Sequence, residues 1–218
     1  VNESDIGFTP LENSVRFGLS AIKGIGTNSV EAIVEARKEG RFTSLFDFIS
    51  RIEHGSLNRR GLESLISAGA FDSLAGEGIA MNSWRASLHA AIDLALSHAQ
   101  KIWNDRVRGQ NALFGEMEET ADDVSLPTAP AWTQLKLAQE EKSAVGFYLS
   151  NHPLDEHSQV LESLGIANLA EHSEIMPGDK ITVAGIVSAF QARYSKKGNR
   201  FCIFKLEDKS SGAKILGW

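Results

Sequence analysis

The sequence predicts a mainly α-helical chain with a C-terminal β part. Apolar residues recur at helical spacing along most of the chain as far as Leu169, whereas from Gly178 onward they alternate with a period of two. A pair of glycines around one apolar residue, Gly24-Ile25-Gly26, interrupts the helical pattern near the start. The length of 218 residues is enough for one medium domain or two small ones.

Residues 1–82 are predicted to contain two helical hairpins in tandem. In the first hairpin, a short helix through Ala21–Lys23 leads into the glycine pair, and a second helix starts near Asn28. Glu31, three residues later, gives this start the pattern of a capping box.

A second pair of helices follows in the same region. His54-Gly55-Ser56 supplies its turn, Asn58 is placed to cap the next helix, and Gly69 is placed to end it. We interpret this pair as a degenerate copy of the first. Residues 1–82 are therefore predicted to form a tandem helix-hairpin-helix domain.

The remaining chain divides by composition and periodicity into four segments. They are a helix at residues 83–108, a flexible acidic linker at residues 109–130, a helical connector at residues 131–177 and a β part at residues 178–218. Turns at Lys197–Asn199 and Lys209–Gly212 divide the β part into an antiparallel meander of three strands. Three strands cannot close a barrel of the oligonucleotide-binding (OB) type, which takes about five.

The first candidate site is the turn around the two glycines. Glycines permit positive φ and a close backbone approach, and the helix that follows presents unpaired N–H groups and its positive dipole end. A DNA phosphate fits such a site without any base being contacted. The alternative is an ordinary turn between two helices. The residues predicted to bind the duplex backbone are Lys23, Gly24, Ile25, Gly26, Thr27 and Asn28.

The second candidate site lies at the start of the acidic linker and has the form Gln-x-x-Leu-Phe. An exposed Leu-Phe pair in a polar segment favours a partner pocket, in which the glutamine fixes the register and the two apolar side chains act as anchors. The alternative is a hydrophobic turn that packs on its own domain. The candidate partner-binding residues are Gln110, Leu113 and Phe114.

The third candidate site surrounds the first predicted β-turn, where cations alternate with aromatic residues. Such a hairpin can follow a single-stranded backbone and stack bases on an aromatic ring. The alternative is a solvated hairpin tip with ordinary surface charges. The candidate single-strand-binding residues are Arg193, Tyr194, Lys196, Lys197, Arg200 and Phe201.

The net charge of −6, taken alone, disfavours a nucleic-acid partner. The distribution of charge matters more than its sum. Five acidic residues and no Lys or Arg fall between Gly109 and Pro130, while Arg193–Arg200 holds four cations and no acid. The acidic linker can therefore mask local basic patches.

The sequence shows no catalytic or metal-binding pattern. The six histidines lie apart from Cys202 and have no metal-ligand spacing, and the linker carboxylates lack the rigid scaffold that two-metal catalysis requires. The lone Cys202 fits a core position in a reducing compartment. No apolar run approaches the ~20 residues of a membrane span, and the N-terminus lacks the pattern of a signal peptide. We therefore expect a cytoplasmic protein without a membrane partner.

Two features lead us to expect a piece of a longer protein. The first residue is Val1 rather than Met, and the last residues, Ala213–Trp218, have the pattern of a strand that stops abruptly.

Several stretches, taken in order along the chain, resemble the C-family of bacterial replicative DNA polymerases, the DNA polymerase III alpha subunits. Similarity in the same order over most of the chain is more specific than any single motif. The stretches are Val15–Gly26, Phe42–Arg51, Leu57–Leu74, Gln110–Gly115, Glu141–Asp155 and Ile181–Asp208.

The resemblance implies a role for each candidate site. The Lys23–Asn28 hairpin would hold the backbone of duplex DNA, and the Gln-x-x-Leu-Phe segment would bind the sliding clamp. Residues 178–218 would be the first part of an OB domain that faces single-stranded template. The catalytic carboxylates of the family, and the Mg²⁺ that they hold, would lie in a palm domain outside this chain, so no cofactor is expected here. Other replicase subunits are further expected partners.

Other protein classes are compatible with parts of this pattern. An error-prone paralogue of the same polymerase family shares the plan, although the intact Gln-x-x-Leu-Phe favours the replicative enzyme. A helix-hairpin-helix repair nuclease or glycosylase needs a catalytic Lys and Asp, or a set of carboxylates, near the hairpin, and the sequence offers none. In a pure protein-interaction scaffold, the hairpin would bind no DNA.

Overall fold

The computed structural model of the chain describes residues 1–107, 125–166, 168–172, 176 and 178–218. These residues form two compact units, residues 1–149 and residues 150–218. The first unit is mainly helical and the second contains an antiparallel sheet, which confirms the predicted fold class, mainly α with a C-terminal β part. The division between the units falls inside the connector predicted at residues 131–177.

The first unit consists of helices preceded by a small ribbon. The described helices are α1 (Thr27–Arg37), α2 (Leu45–Arg51), α3 (Arg59–Ser67), α4 (Met81–Ala90), α5 (Ile92–Val107) and α6 (Gln134–Val145). The ribbon is formed by two antiparallel strands, β1 (Thr9–Pro10) and β2 (Val15–Arg16). None of the helices that the structure describes has the length and apolar character needed to cross a membrane.

The core of the first unit is built from the apolar faces of these helices. Val30 and Ile33 of α1 are fully buried. The ring of Phe48 in α2 makes edge-to-face contacts with Phe42 and Phe71, at centroid distances of 5.0 and 4.9 Å. Edge-to-face contacts add to the stabilisation that burial of large aromatic rings provides. These five residues belong to one buried cluster, so the core joins the helices of both predicted hairpins.

Side-chain caps begin three of the helices of the first unit. Asn58 accepts a hydrogen bond from the Gly61 N–H at 2.9 Å, which confirms the predicted cap of α3. Ser44 caps α2 and Thr133 caps α6 in the same way. Each cap satisfies one of the N–H groups that the first turn of a helix leaves without a backbone partner.

The start of α1 differs from the prediction. The helix begins at Thr27 with Gly26 as its N-cap, and no side chain caps it, so the capping box expected at Asn28 and Glu31 is wrong. The helix begins earlier because the extended Gly26 carbonyl already accepts a hydrogen bond from the Val30 N–H, at 3.2 Å. A glycine N-cap has no side chain that could accept a bond from the N–H groups of the first turn.

The single helix predicted at residues 83–108 is two helices where the structure describes it, α4 and α5. They meet at Ala91, whose φ of −82° and ψ of −8° depart from helical values. The Ala91 N–H is shared among the carbonyl groups of the last turn of α4. A break of one residue leaves the apolar spacing almost unchanged, so the sequence pattern does not reveal it.

The second unit contains the predicted meander. Its strands are β3 (Ile186–Tyr194), β4 (Arg200–Glu207) and β5 (Gly212–Gly217), in the sheet order β3-β4-β5. Both pairings are antiparallel, which confirms the predicted topology. A short helix, α7 (Ser158–Ser163), and 3-10 turns at Asp155–His157 and Leu169–His172 precede the sheet.

The first strand of the meander starts later than its alternating pattern suggests. The alternation begins at Ile181, but β3 begins at Ile186. Ile186 pairs with Glu207, the last residue of β4, after which the chain turns. Residues 181–185 therefore find no partner in β4, and alternation without a partner does not make a strand.

We expect Phe48→Ala to lower the free energy of unfolding of the first unit by about 3–5 kcal/mol, because the change leaves a cavity in the aromatic core. Urea denaturation followed by circular dichroism measures this loss. Leu94→Ala is the control, since the Leu94 side chain is 48% exposed, and we expect its effect to stay within about 0.5 kcal/mol. Equal effects of the two substitutions would show that the core does not depend on Phe48.

Candidate nucleic-acid interface

The candidate site begins at the turn between Leu19 and α1. The helix predicted through Ala21–Lys23 is instead a 3-10 turn at Leu19–Ala21. Ile22 is buried beneath the turn and Lys23 is exposed. Gly24 has a φ of +84°, a conformation that residues with a side chain rarely adopt. Ile22 is therefore inside and Lys23 outside, while Ile25 between the two glycines is half-buried and packs against the core.

The two glycines of the turn have different structural roles. Gly24 supplies the positive φ, whereas Gly26 is extended and forms the N-cap of α1. Since α1 has no side-chain cap, the N–H groups of its first turn are available to an external acceptor. The positive end of the helix dipole points in the same direction. Thr27 and Asn28 are exposed, so this end of the helix is accessible.

The turn between α2 and α3 repeats the geometry of the first turn. Gly55 has the same φ, +84°, as Gly24. In the first turn, a methyl group on Gly24 would lie 3.7 Å from Nε of Arg60, in the first turn of α3. In the second turn, the Ser56 carbonyl accepts a hydrogen bond from the Ser29 hydroxyl, in the first turn of α1.

These two contacts correspond, with a shift of one residue, under an exchange of the two hairpins. An offset of 31 residues relates Gly24 to Gly55, whereas an offset of 32 relates the N-caps Gly26 and Asn58. Each turn therefore lies against the N-terminal end of the other hairpin's second helix. This exchange symmetry is the arrangement expected of two copies of one motif, and it brings both glycine turns to one place.

Two exposed cations accompany these turns. Within the part of the chain that the structure describes, neither Lys23 nor Arg60 forms an ion pair, and both are exposed. The neighbouring Arg59 differs, because it is paired with Glu63 at 2.9 Å and also with Asp93. Lys23 and Arg60 are thus the cations left to meet an external anion at this site.

Arg60 is a residue of this site that sequence analysis missed. The signal for it was present, because Arg60 lies two residues after the predicted Asn58 cap, in the first turn of the helix that follows the second glycine turn. Only the fold shows that Arg60 lies beside Gly24, since the two residues belong to different hairpins.

The β-hairpin candidates lie on strands β3 and β4 and on the turn between them. Tyr194 pairs with Arg200, whose guanidinium lies 5.9 Å from the tyrosine ring centroid. Arg193 pairs with Phe201 at the next position, so these two side chains lie on the opposite face of the sheet. The structure therefore distributes the predicted residues over two faces. Lys196 and Lys197 are exposed at the turn.

An aromatic residue that sequence analysis missed lies beside the hairpin. The Trp218 ring stacks on Phe201, with a centroid distance of 5.2 Å and an interplanar angle of 26°. Trp218 is 81% exposed, and Tyr194 on the other face is 70% exposed. Each face of the sheet therefore presents an accessible aromatic surface with a cation close by in the paired strand.

The linker segment and metal binding remain to be considered among the predicted sites. Gln110, Leu113 and Phe114 lie outside the residues that the structure describes, so their partner-binding role stays a prediction. Among the described residues, no group of histidine, cysteine and acidic side chains is arranged to hold a metal ion.

Comparison with known proteins gives matches over both parts of the chain. A helix-hairpin-helix motif family matches residues 1–78, the region of the two glycine turns. The DNA polymerase III alpha subunit of Neisseria meningitidis serogroup A is 39% identical over 219 aligned residues, which cover 99% of this chain.

Alpha subunits from other bacteria match at similar levels. The Haemophilus influenzae protein is 35% identical over 91% of this chain, and the Escherichia coli protein is 34% identical over 94%. The chain spans only 18% of the Neisseria protein and 17% of each of the other two. Residues 1–78 thus carry a helix-hairpin-helix motif, and nearly the whole chain corresponds in sequence to one segment of the bacterial DNA polymerase III alpha subunit.

Proposed function

We propose that this chain is a DNA-holding segment of a bacterial replicative DNA polymerase and that its glycine hairpins bind the phosphate backbone of duplex DNA. The observation that carries the proposal is the pair of glycine turns, which lie together with Lys23 and Arg60, two exposed cations that form no ion pair with the residues that the structure describes. The helix-hairpin-helix match over residues 1–78 and the similarity to DNA polymerase III alpha subunits support it.

The chemistry of the site suits a phosphate better than a base. No side chain caps the first N–H groups of α1, and such groups at a helix start bind phosphate oxygens without distinguishing sequences. Lys23 and Arg60 add charge that favours an anion. A polymerase moves along its template, so a site that holds the backbone and ignores the bases suits this role.

We further propose that the chain binds single-stranded DNA through its C-terminal sheet, as the first part of an OB domain. The exposed Tyr194 beside Arg200, and the Phe201–Trp218 stack beside Arg193, can each stack a base and meet a backbone phosphate. The duplex-holding hairpins and this sheet lie in different units of the chain. They can therefore be altered separately.

The segment around residues 110–114 makes the contact with a protein partner. Gln110, Leu113 and Phe114 bind a sliding clamp and so keep the polymerase on DNA. The complete polymerase is a DNA-directed nucleotidyltransferase that works in the bacterial cytoplasm with other replicase subunits. Its catalytic carboxylates and their Mg²⁺ lie outside this chain, whose own contribution is to hold DNA and clamp.

Lys23→Glu is expected to weaken binding to duplex DNA by about tenfold or more, with little dependence on sequence, because it removes a phosphate contact and adds a repulsive charge. Arg60→Glu is expected to act in the same direction. Fluorescence anisotropy with two duplexes of unrelated sequence, at several salt concentrations, measures both effects.

Lys38→Glu provides the matched control, because it makes the same charge change at the other end of α1. At 1.5 Å per residue, that end is about 16 Å from the hairpin. If Lys23→Glu and Lys38→Glu weaken duplex binding equally, the hairpin is not the site. Duplex binding by the unaltered chain that does not fall with rising salt would favour an interaction scaffold instead.

Leu113→Ala combined with Phe114→Ala is expected to abolish capture of the bacterial sliding clamp, because it removes both apolar anchors, and to leave duplex binding unchanged. Pull-down of purified clamp by the immobilised chain measures this loss. Glu118→Ala combined with Glu119→Ala is the control in the same segment. Normal clamp capture by the Leu113 and Phe114 double variant would refute this site.

A further inference from the structure

The hairpin that carries Lys23 is hydrogen-bonded to a helix that lies far along the sequence, α6. The Lys23 N–H donates a hydrogen bond to the Ala144 carbonyl at 2.8 Å. Ala144 lies in the last turn of α6, in the region where sequence analysis placed a connector. The backbone immediately before Gly24 is therefore attached to the C-terminal end of α6.

The side chain of Lys23 extends across the same helix end. Gly146 is the C-cap of α6, with a φ of +98°. A methyl group on Gly146 would lie 3.3 Å from Nζ and 3.5 Å from Cε of Lys23. The last turn of a helix carries carbonyl groups without partners and a partial negative charge, which attract an ammonium group. The bare backbone of Gly146 thus leaves room for the Lys23 ammonium at this end of α6.

The position of α6 is itself set by a buried ion pair. Glu141 is fully buried and accepts a hydrogen bond from Arg85 of α4 at 2.9 Å. Its second oxygen accepts a bond from the Leu149 N–H at 3.1 Å, which holds the turn that follows Gly146. The two oxygens of one carboxylate therefore fix both the helix and the turn at its end.

The guanidinium of Arg85 stays charged across the physiological pH range. Burial lowers the pKa of Arg85, but the hydrogen bonds and charges of Asp72 and Glu141 outweigh burial and hold the pKa above its ordinary value. The hydrogen bond from Nε of Arg85 to Asp72, at 2.9 Å, connects α4 to the segment after α3. The support beneath Lys23 is thus attached to the same core that carries the second hairpin.

We propose that Gly146 is a positioning residue for Lys23: with the end of α6, it holds the Lys23 ammonium in place at the hairpin so that the cation meets a DNA phosphate without first being ordered. The inference rests on the proposed binding of duplex backbone by this hairpin. A cation that is already held in place loses less conformational freedom on binding, which raises affinity. Gly146 touches no DNA in this arrangement and acts through Lys23.

The test is a double-mutant cycle between Gly146→Ala and Lys23→Met, with duplex affinity as the readout. In the unaltered chain, Gly146→Ala is expected to weaken binding by about fivefold, because the new methyl group displaces the lysine. In the Lys23→Met background, the same change is expected to have almost no effect. The slope of log affinity against log salt is expected to fall by about one for Lys23→Met and toward that value for Gly146→Ala.

The control is Gly78→Ala, in the same unit. Gly78 also has positive φ, +77°, but nothing lies within 4 Å of an added methyl group. The effect of Gly78→Ala on duplex affinity therefore measures the contribution of backbone strain alone. If Gly146→Ala lowers the melting temperature too far for binding to be measured, Gly146→Asn adds the same Cβ with a side chain that tolerates positive φ, and Gly78→Asn is its control.

The outcomes separate this inference from the proposed function. If Lys23→Met leaves duplex affinity and salt slope unchanged, the proposed role of the hairpin fails and the inference fails with it. If Lys23→Met weakens binding but Gly146→Ala has no effect, or has the same effect with and without Lys23, only the positioning role is wrong. If Gly146→Ala and Lys23→Met are coupled in their effects on duplex affinity, and Gly78→Ala has no effect, the positioning role of Gly146 is established.

Discussion

The two glycine turns of the first unit lie against each other's helices, and each turn reverses the chain through a glycine with positive φ. Gly24 and Gly55 have the same φ of +84°. A side chain at Gly24 would be strained and would also approach Ser64 Oγ to 3.2 Å. The backbone freedom of these glycines therefore determines where both turns lie, and with them the first turns of α1 and α3.

The placement of charge follows from this packing. Lys23 and Arg60 come from different hairpins. Lys23 precedes Gly24 in the sequence, and the packing of the hairpins brings Arg60 beside the same glycine. The net charge of −6 describes the whole chain and does not describe this surface. A chain with an acidic balance can offer a phosphate site where the fold gathers unpaired cations at open helix N–H groups.

Much of this arrangement could be predicted from local patterns. The Gly24-Ile25-Gly26 turn, the Asn58 cap and the three-strand meander each depend on a few neighbouring residues, so the sequence indicates them directly. Features that depend on distant partners could not be predicted in this way. The start of β3 depends on the length of β4, and the break at Ala91 leaves the apolar period almost intact.

The same distinction applies to the site. Lys23 could be predicted because it adjoins the glycine pair, whereas Arg60 belongs to the site only through the fold. The segment predicted as a connector contributes α6, which packs into the first unit through the buried Glu141 and supports the hairpin at Ala144. No local pattern shows that a helix so far along the chain contacts Lys23.

Backbone amide shifts in the ¹⁵N–¹H NMR spectrum, recorded as duplex DNA is added to the chain, show whether the glycine hairpins bind the phosphate backbone. Phosphate binding at the hairpins predicts that the N–H signals of Gly24, Gly26 and Thr27 shift strongly, with smaller shifts at Gly55. The predicted shifts are the same for duplexes of different sequence and fade as salt rises. Unchanged signals at these residues while the chain binds duplex DNA would rule out phosphate binding at the hairpins.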